Sequence, residues 1–340
     1  MRAVVLREHG EPERLVLENI PDPSPAADEV LVRVRASSVC GRDLIDRRGG
    51  FPMMKMPAIL GHEMAGEVVR VGAAVKGFSP GDRVVNLQRP SCGACRRCLE
   101  GEPVLCEGAW QSLGLTVDGA YAEQVITWPR GLVKLPAAIP FDVGSTLMCT
   151  AGVALRALRG RAELEVGETL LITGASGGVG QAAVQIARHM GARVVVTTTS
   201  PDKVEELTKL GAHHVVVSEK HRFSDDVLKA VGQVDAALDL VGAPTIVSAL
   251  RCLRMGGRMV VLGNIELSKV DLNPGMLIVR GLSILGGVSC SARDLTDVFA
   301  MVESGALVPR IDRRLPLDRA AEAHRLLAER KVVGRVVLEP

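Results

Sequence analysis

The chain has 340 residues, more than the roughly 250 to 300 at which a single hydrophobic core stops growing, so it has material for two domains. Aromatic residues are 2% of the sequence and the formal net charge is +2. These values exclude base stacking on nucleic acid and any broad basic field for DNA or an acidic membrane, leaving local anion recognition and a small-molecule substrate.

The opening MRAVVLREHG has no long apolar run behind a basic start, and no uninterrupted apolar run of ~18 residues occurs; the chain is therefore read as cytoplasmic, without a membrane span. From Glu29, EVLVRVRASSV alternates apolar and polar residues as a half-buried strand does, and EMAGEVVRVG and GDRVV add short strands. Within this β-rich part, VCGRDLI places Asp43 three residues after Cys40, with the cation Arg42 between them.

Next comes CGACRRCLEGEPVLC, with Cys92, Cys95, Cys98 and Cys106 at spacings of two, two and seven intervening residues. Four thiolates on a tight loop, residues 91–107, suit one tetrahedral zinc whose coordination is closed, which makes the site structural. Reduced surface thiols and an iron–sulfur cluster are the alternatives; the first is a reactive liability, and the second usually uses other spacings.

Near Phe141 the texture changes. LLITG, RVVVTT, HHVVVS, VDAALDL, GRMVVLG and LSILGG are short apolar runs separated by helix-like segments, the alternation of an α/β fold with a parallel sheet. Gly191 and Gly211 fit helix C-termini, and Ser200 before Pro201 reads as a helix N-cap. TGASGGVG lies between the first of these runs and a helix, in the context that binds a dinucleotide pyrophosphate. Gly177 and Gly180 allow the close approaches, while Ala175, preceded by Gly174, replaces the first glycine of the usual fingerprint. The second strand ends in TTTSPDK without the carboxylate that holds a ribose in NAD-preferring folds. Thr199, Ser200 and Lys203 suit a 2′-phosphate instead, so NADPH is expected over NADH. Helical patterns at ARDLTDVFAMVESG and DRAAEAHRLLAER lead to a closing strand, GRVVL.

Cys40, His62 and Cys149 are far apart in sequence, as the ligands of a catalytic zinc assembled from strand ends are; two sulfurs and an imidazole leave one position open. On VCGRD, GHEMAGEVVRVG, GDRVV, the cysteine ladder, TGASGGVG and VGRVVL, the chain resembles the zinc-containing, alcohol-dehydrogenase-like medium-chain dehydrogenase/reductase superfamily over nearly its whole length. The resemblance implies a GroES-like β-rich catalytic domain, residues 1–150 and 288–340, with a Rossmann doubly wound parallel sheet, residues 151–287, inserted. It also implies that Cys40, His62 and Cys149 hold the catalytic zinc with Glu63 nearby, and that Asp43 orients His62. Arg335 would meet the cofactor pyrophosphate, and Gly174, Ala175, Ser176, Gly177, Gly178, Val179, Gly180 and Gly263 would line the cofactor.

The departures from that pattern are informative. Alcohol-oxidising members carry Ser or Thr two residues after the first cysteine and relay a proton onward through a histidine; here Arg42 and Ile45 stand at those places, and neither side chain can relay a proton near neutrality. CGRD, GGFPMMKMPAILGHE, CTAGVALRAL and KVVGRVVL look like a branch that includes acryloyl-CoA reductases. The expectation is an NADPH-dependent reductase of short 2-enoyl-CoA thioesters such as acrylyl-, crotonyl- or 3,3-dimethylacrylyl-CoA. Arg42 would then face negative charge developing on the carbonyl oxygen or a CoA phosphate, with pairing to an acidic neighbour as the alternative. A zinc alcohol or polyol dehydrogenase with a rewired proton path is the second reading, and a non-catalytic NADPH-binding scaffold the third. Tyr121, in GAYAEQV, reads as a packing residue. Arg47, Arg48 and Lys55 flank GGFPMM and read as exposed charge before CoA contacts. GMLIVRGLSILGG ends the inserted sheet, and edge pairing there implies a homodimer or homotetramer.

Overall fold

The computed structural model describes residues 1–108, 110–218, 220–264 and 268–340. Its first half is built from β1 (Arg2–Leu6), β2 (Leu15–Asn19), β3 (Val30–Val39), α1 (Gly41–Arg47), β4 (Ala58–Ile59), β5 (Met64–Val71), β6 (Arg83–Asn86), α2 (Arg96–Leu99), β7 (Gln124–Thr127), β8 (Leu132–Lys134) and α3 (Phe141–Leu147). β1 pairs antiparallel with both β2 and β4. β3 alternates exposed and buried residues around Arg33 and Arg35, then buries every residue from Ala36 to Val39. That change follows its neighbours, because β5 covers one edge and β16 (Arg335–Glu339) pairs the other at Ser37–Val39. The core beneath is aliphatic, as the scarcity of aromatics requires: Val30, Val32, Val34, Met64, Val68, Val84 and Val125 are buried together, each contributing about 1.5–3 kcal/mol relative to exposure.

The middle of the chain holds α4 (Val153–Leu155), β9 (Thr169–Ile172), α5 (Gly178–His189), β10 (Arg193–Thr198), α6 (Val204–Leu210), β11 (His214–Val217), α7 (Ser224–Val231), β12 (Val234–Asp239), α8 (Ala243–Cys252), β13 (Leu253–Val261), α9 (Pro274–Arg280) and β14 (Ser283–Gly286). The six strands pair in parallel in the order β11-β10-β9-β12-β13-β14. β10 and β12 flank β9 on opposite sides, so the strand order reverses at the end of β9, the switch point at which such sheets bind dinucleotides. Gly191 and Gly211 follow α5 and α6 with φ of +82° and +122°, conformations that a Cβ would strain. Ser200 sits at the N-cap of a 3-10 turn, Pro201–Lys203, but its side chain makes no cap hydrogen bond.

The chain closes with α10 (Ala292–Glu303), β15 (Ile311–Pro316), α11 (Ala320–Ala328) and β16, which runs parallel to β15 and antiparallel to β3. The fold is α/β. Contacts divide it into one unit of Met1–Cys149, Ser289–Glu303 and Pro309–Pro340, and another of Thr150–Val288 and Ser304–Val308. Ser304–Val308 goes with the second unit, where the Gln185 side chain accepts from Val308 N at 2.9 Å and donates to its carbonyl at 3.3 Å. No described helix is long and apolar enough to cross a membrane.

Candidate metal centres and cofactor turn

β3 delivers Cys40 to the N-cap of α1, and the carboxylate of Asp43 turns back to accept from Cys40 N at 2.9 Å. Gly61, at φ +93°, turns the chain so that His62 and Glu63 lead into β5, and Cys149 follows α3. One ligand atom from each of Cys40, His62, Glu63 and Cys149 lies within 4.8 Å of the others, and the two sulfurs are 4.0 Å apart. His62 Nδ1 lies 2.8 Å from Asp43 Oδ1, so the carboxylate accepts from Nδ1–H and Nε2 is the ring nitrogen left toward the cluster. Nε2 is buried with no hydrogen-bond partner among the described residues. A buried ring nitrogen without a partner beside two sulfurs is costly unless an ion or ligand satisfies it. Two sulfurs, one imidazole nitrogen and a carboxylate that fixes the ring make a donor set that fits zinc.

Charge inside this cluster is balanced locally. A hydrogen bond from Cys149 and, against burial, the Arg335 guanidinium hold the Cys40 thiol well below its usual range, while Cys149 as donor is pushed up. Arg335, which the resemblance assigns to the cofactor pyrophosphate, is buried and pairs with Glu63, with Nη2 3.0 Å from Glu63 Oε1 and Nη1 donating to the Val39 carbonyl at 3.0 Å. The register of β16 on β3, Val336 opposite Val39, delivers it there, and a buried carboxylate draws in the cation.

Arg42 takes the acidic partner: its Nε donates to Asp46 at 2.9 Å and Nη2 to the Leu113 carbonyl at 3.4 Å. Burial pushes Asp46 up to about 6, against the pull of Arg42. Ile45 sits on the same helix, half-buried. Arg48 and Lys55 are exposed as expected, but Arg47 is not: it is fully buried, and its guanidinium nitrogens have no hydrogen-bond partner among the described residues. The helical repeat explains this burial, since Arg47 stands one turn beyond Asp43, on the inward face of α1. Tyr121 packs as expected and also donates its hydroxyl to Asp43 Oδ2 at 3.1 Å, with His324 Nε2 3.3 Å from the Tyr121 hydroxyl oxygen. His324 carried no sequence signal beyond lying on the apolar face of α11.

The four cysteines of the second cluster converge as their spacing predicts. Cys95 lies 3.6 Å from Cys98 and 3.9 Å from Cys106, and Cys92 is 4.0 Å from Cys98, sulfur to sulfur. Thiolates on a tetrahedral zinc at ~2.3 Å have edges of about 3.8 Å, so the cage fits that ion. Backbone N–H groups of Cys98 and Glu107 pull Cys95 down to about 6, while burial pushes Cys98 up to about 11, and Cys92 N donates to Cys106 Sγ at 3.2 Å.

In the second unit the turn after β9 runs through Gly174, at φ +65°, Ala175 and Ser176 to Gly177, the N-cap of α5; Gly178, Val179 and Gly180 form its first turn. A Cβ on Gly180 would lie 2.5 Å from Ala175 Cα, whereas one on Gly177 would meet nothing nearer than Gly174 O at 3.7 Å. The helix therefore packs hard on the turn while the outer face of Gly177 stays open, the shape a pyrophosphate needs. Thr199 and Ser200 follow β10 and are half-buried, as is Lys203. Gly263 has a backbone role, because a Cβ there would lie 2.0 Å from the Leu240 carbonyl oxygen.

Comparison with known proteins gives a consistent picture. The model of the alcohol dehydrogenase GroES-like domain matches residues 26–137, and that of the zinc-binding dehydrogenase matches residues 178–304. Acryloyl-coenzyme A reductase of Sulfurisphaera tokodaii is 37% identical over 344 residues, covering 100% of both chains. An alcohol dehydrogenase of Schizosaccharomyces pombe is 34% identical over 342 residues, covering 99% of this chain and 97% of its own. The crystal structure of AibC superposes with a TM-score of 0.94 at 44% identity, covering 100% of this chain and 96% of that one.

Proposed function

Because the chain belongs to the alcohol-dehydrogenase-like medium-chain dehydrogenase/reductase superfamily and is an oxidoreductase, we propose that it reduces the C=C bond of a short-chain 2-enoyl-CoA, of the acrylyl, crotonyl or 3,3-dimethylacrylyl type. NADPH and two zinc ions, one structural and one catalytic, complete the enzyme, with the first unit catalytic and the second holding the cofactor. The observation that carries this reading is residue 42. Where alcohol-oxidising relatives place a hydroxyl that passes on a proton, this chain has a guanidinium fixed on Asp46. Full-length similarity to an acryloyl-CoA reductase supports it.

Zinc held by Cys40, His62 and Cys149 would supply Lewis acidity toward a thioester carbonyl oxygen. NADPH would supply hydride to the β-carbon, and water the proton at the α-carbon. The chain's own residues prepare the site. Asp43 fixes the His62 tautomer, Arg335 offsets the buried charge of Glu63, and the lowered thiol of Cys40 favours a thiolate ligand. Arg42 is held by Asp46 and the Leu113 carbonyl, the acidic pairing set against an oxyanion contact, so its part in this reading is that a guanidinium cannot take the proton of an alcohol. Half-buried Thr199, Ser200 and Lys203 would receive the 2′-phosphate.

A spectrophotometric screen tests this directly. Enoyl-CoAs of varied length and branching are offered with NADPH and with NADH, and a panel of alcohols with the oxidised cofactors. Turnover of a short enoyl-CoA with NADPH preferred is the expected result. Alcohol oxidation without enoyl-CoA reduction would overturn it in favour of a zinc alcohol dehydrogenase, the reading favoured by similarity to the Schizosaccharomyces pombe enzyme.

A further inference from the structure

Resting on the proposal that Cys40, His62 and Cys149 hold a metal, we infer that Tyr121 and His324 are positioning residues that fix the His62 ring through Asp43, so that α11, from the C-terminal end of the chain, helps to hold the metal site. The geometry is a buried chain of hydrogen bonds. Asp43 Oδ1 takes His62 Nδ1 at 2.8 Å, while Oδ2 accepts from Cys40 N at 2.9 Å and from the Tyr121 hydroxyl at 3.1 Å. Burial and the adjacent Asp43 carboxylate hold the phenol protonated, so its proton goes to Asp43 and its oxygen is left to accept. His324 Nε2, 3.3 Å away, is the group placed to donate. Its ring meets that of Tyr121 edge-on, at 81° with centroids 5.9 Å apart.

This arrangement dictates a tautomer. His324 is fully buried and burial pushes its pKa down to about 4, so it carries one ring proton, and the bond to Tyr121 places that proton on Nε2. Consistently, Nδ1 is buried with no hydrogen-bond partner among the described residues; a bare acceptor costs less there than a bare N–H, because orphaned buried donors are the rarer state. A second observation ties the same tyrosine to the ligand segment. Tyr121 N donates to the Leu60 carbonyl at 2.9 Å and Ala120 N to that of Gly61 at 2.8 Å, and the Tyr121 ring lies where a Cβ on Gly61 would be, 2.5 Å from that position. Ring and hydroxyl therefore brace His62 from its preceding residue and from its carboxylate partner. Partners of this kind typically alter metal affinity 10–100-fold.

The test begins with wild-type enzyme labelled with nitrogen-15 histidine. Long-range correlation spectra are expected to show His324 as the Nε2–H tautomer, and an Nδ1–H tautomer would overturn the inference whatever the metal content. Zinc release to a chromogenic chelator is then followed in Tyr121→Phe, His324→Phe and His324→Gln. The two phenylalanine variants should lose the Cys40-site zinc about tenfold faster, with release from the four-cysteine cage unchanged as an internal control. His324→Gln, whose amide still donates to Tyr121, should restore the slow rate. Unchanged release in all three variants of a zinc-bearing protein overturns this inference alone. Zinc content equal in wild type and Cys40→Ser removes the metal reading itself, and this inference with it.

Discussion

Gly177 and Gly180 stand three residues apart in one turn and should fail differently when each is given a methyl group. A Cβ on Gly180 would sit 2.5 Å from Ala175 Cα and 2.6 Å from Gly174 O. Carbon atoms settle at about 3.5–4.0 Å, so α5 or the turn must move by about 1 Å. Overpacking of that size costs about 1–3 kcal/mol, or about 2–12 °C in melting temperature for a domain of this size. Gly177→Ala has no such penalty: its nearest neighbour would be 3.7 Å away and its φ of −78° suits any residue. Stability should change by less than about 1 kcal/mol. The same methyl nevertheless projects into the open face where the pyrophosphate is proposed to lie, and should weaken NADPH binding at least tenfold, about 1.4 kcal/mol. Thermal unfolding monitored by circular dichroism and NADPH titration by fluorescence separate the two effects. Wild-type cofactor affinity in Gly177→Ala would refute the placement of the cofactor at this turn, and wild-type stability in Gly180→Ala would refute the steric argument.

His324, with its pKa pushed down to about 4 by burial, binds a proton more weakly folded than unfolded, where the value is about 6.5; its stability contribution is complete above pH ~6.5 and is lost as the pH falls through ~4, amounting to about 3 kcal/mol. Denaturant titrations across that window should be flatter in His324→Gln, and superimposable curves would contradict the assignment. Cys95→Ser should remove one zinc per chain, measured by atomic emission, and speed proteolysis of the 91–107 loop without changing release from the Cys40 site; loss of both ions together would argue against separate centres. Lys203→Glu should lower kcat/KM for NADPH about tenfold relative to NADH, the size of one charged hydrogen bond, and an unchanged ratio would remove Lys203 from the 2′-phosphate site. α9 exposes Ile278 and Val279 at 78% and 75% beside the sheet edge at β14, so Ile278→Asp should convert a dimer into monomer in light scattering if that edge pairs with a second copy; a wild-type monomer would end the proposal.

What could be read from the sequence depended on whether the signal was local. Strand periodicity, the glycine turn and the cysteine ladder each lie within a few residues of themselves, and β3, β9 and the four sulfurs stand where those patterns put them. The Cys40, His62 and Cys149 set is a loose pattern that the resemblance makes specific, because no fixed spacing links the residue after β3 to the second residue after α3. Arg47 shows a different failure. Beside Arg48 it read as surface charge, yet the seven residues of α1 bury Asp43, Leu44, Asp46 and Arg47, an i, i+1, i+3, i+4 pattern that marks an inward helical face even when three of its members are charged. Only resemblance marks Arg335, and nothing local marks His324. What each does is decided by a partner more than two hundred residues away in sequence, Glu63 for one and Tyr121 for the other, so their roles come into existence only when β16 and α11 return to the first unit. The site is thus closed by the last elements of the chain. Arg335→Gln, which leaves β16 in place, would take away the Glu63 counter-ion, and its measured effect should appear in metal retention before it appears in the second unit's cofactor binding.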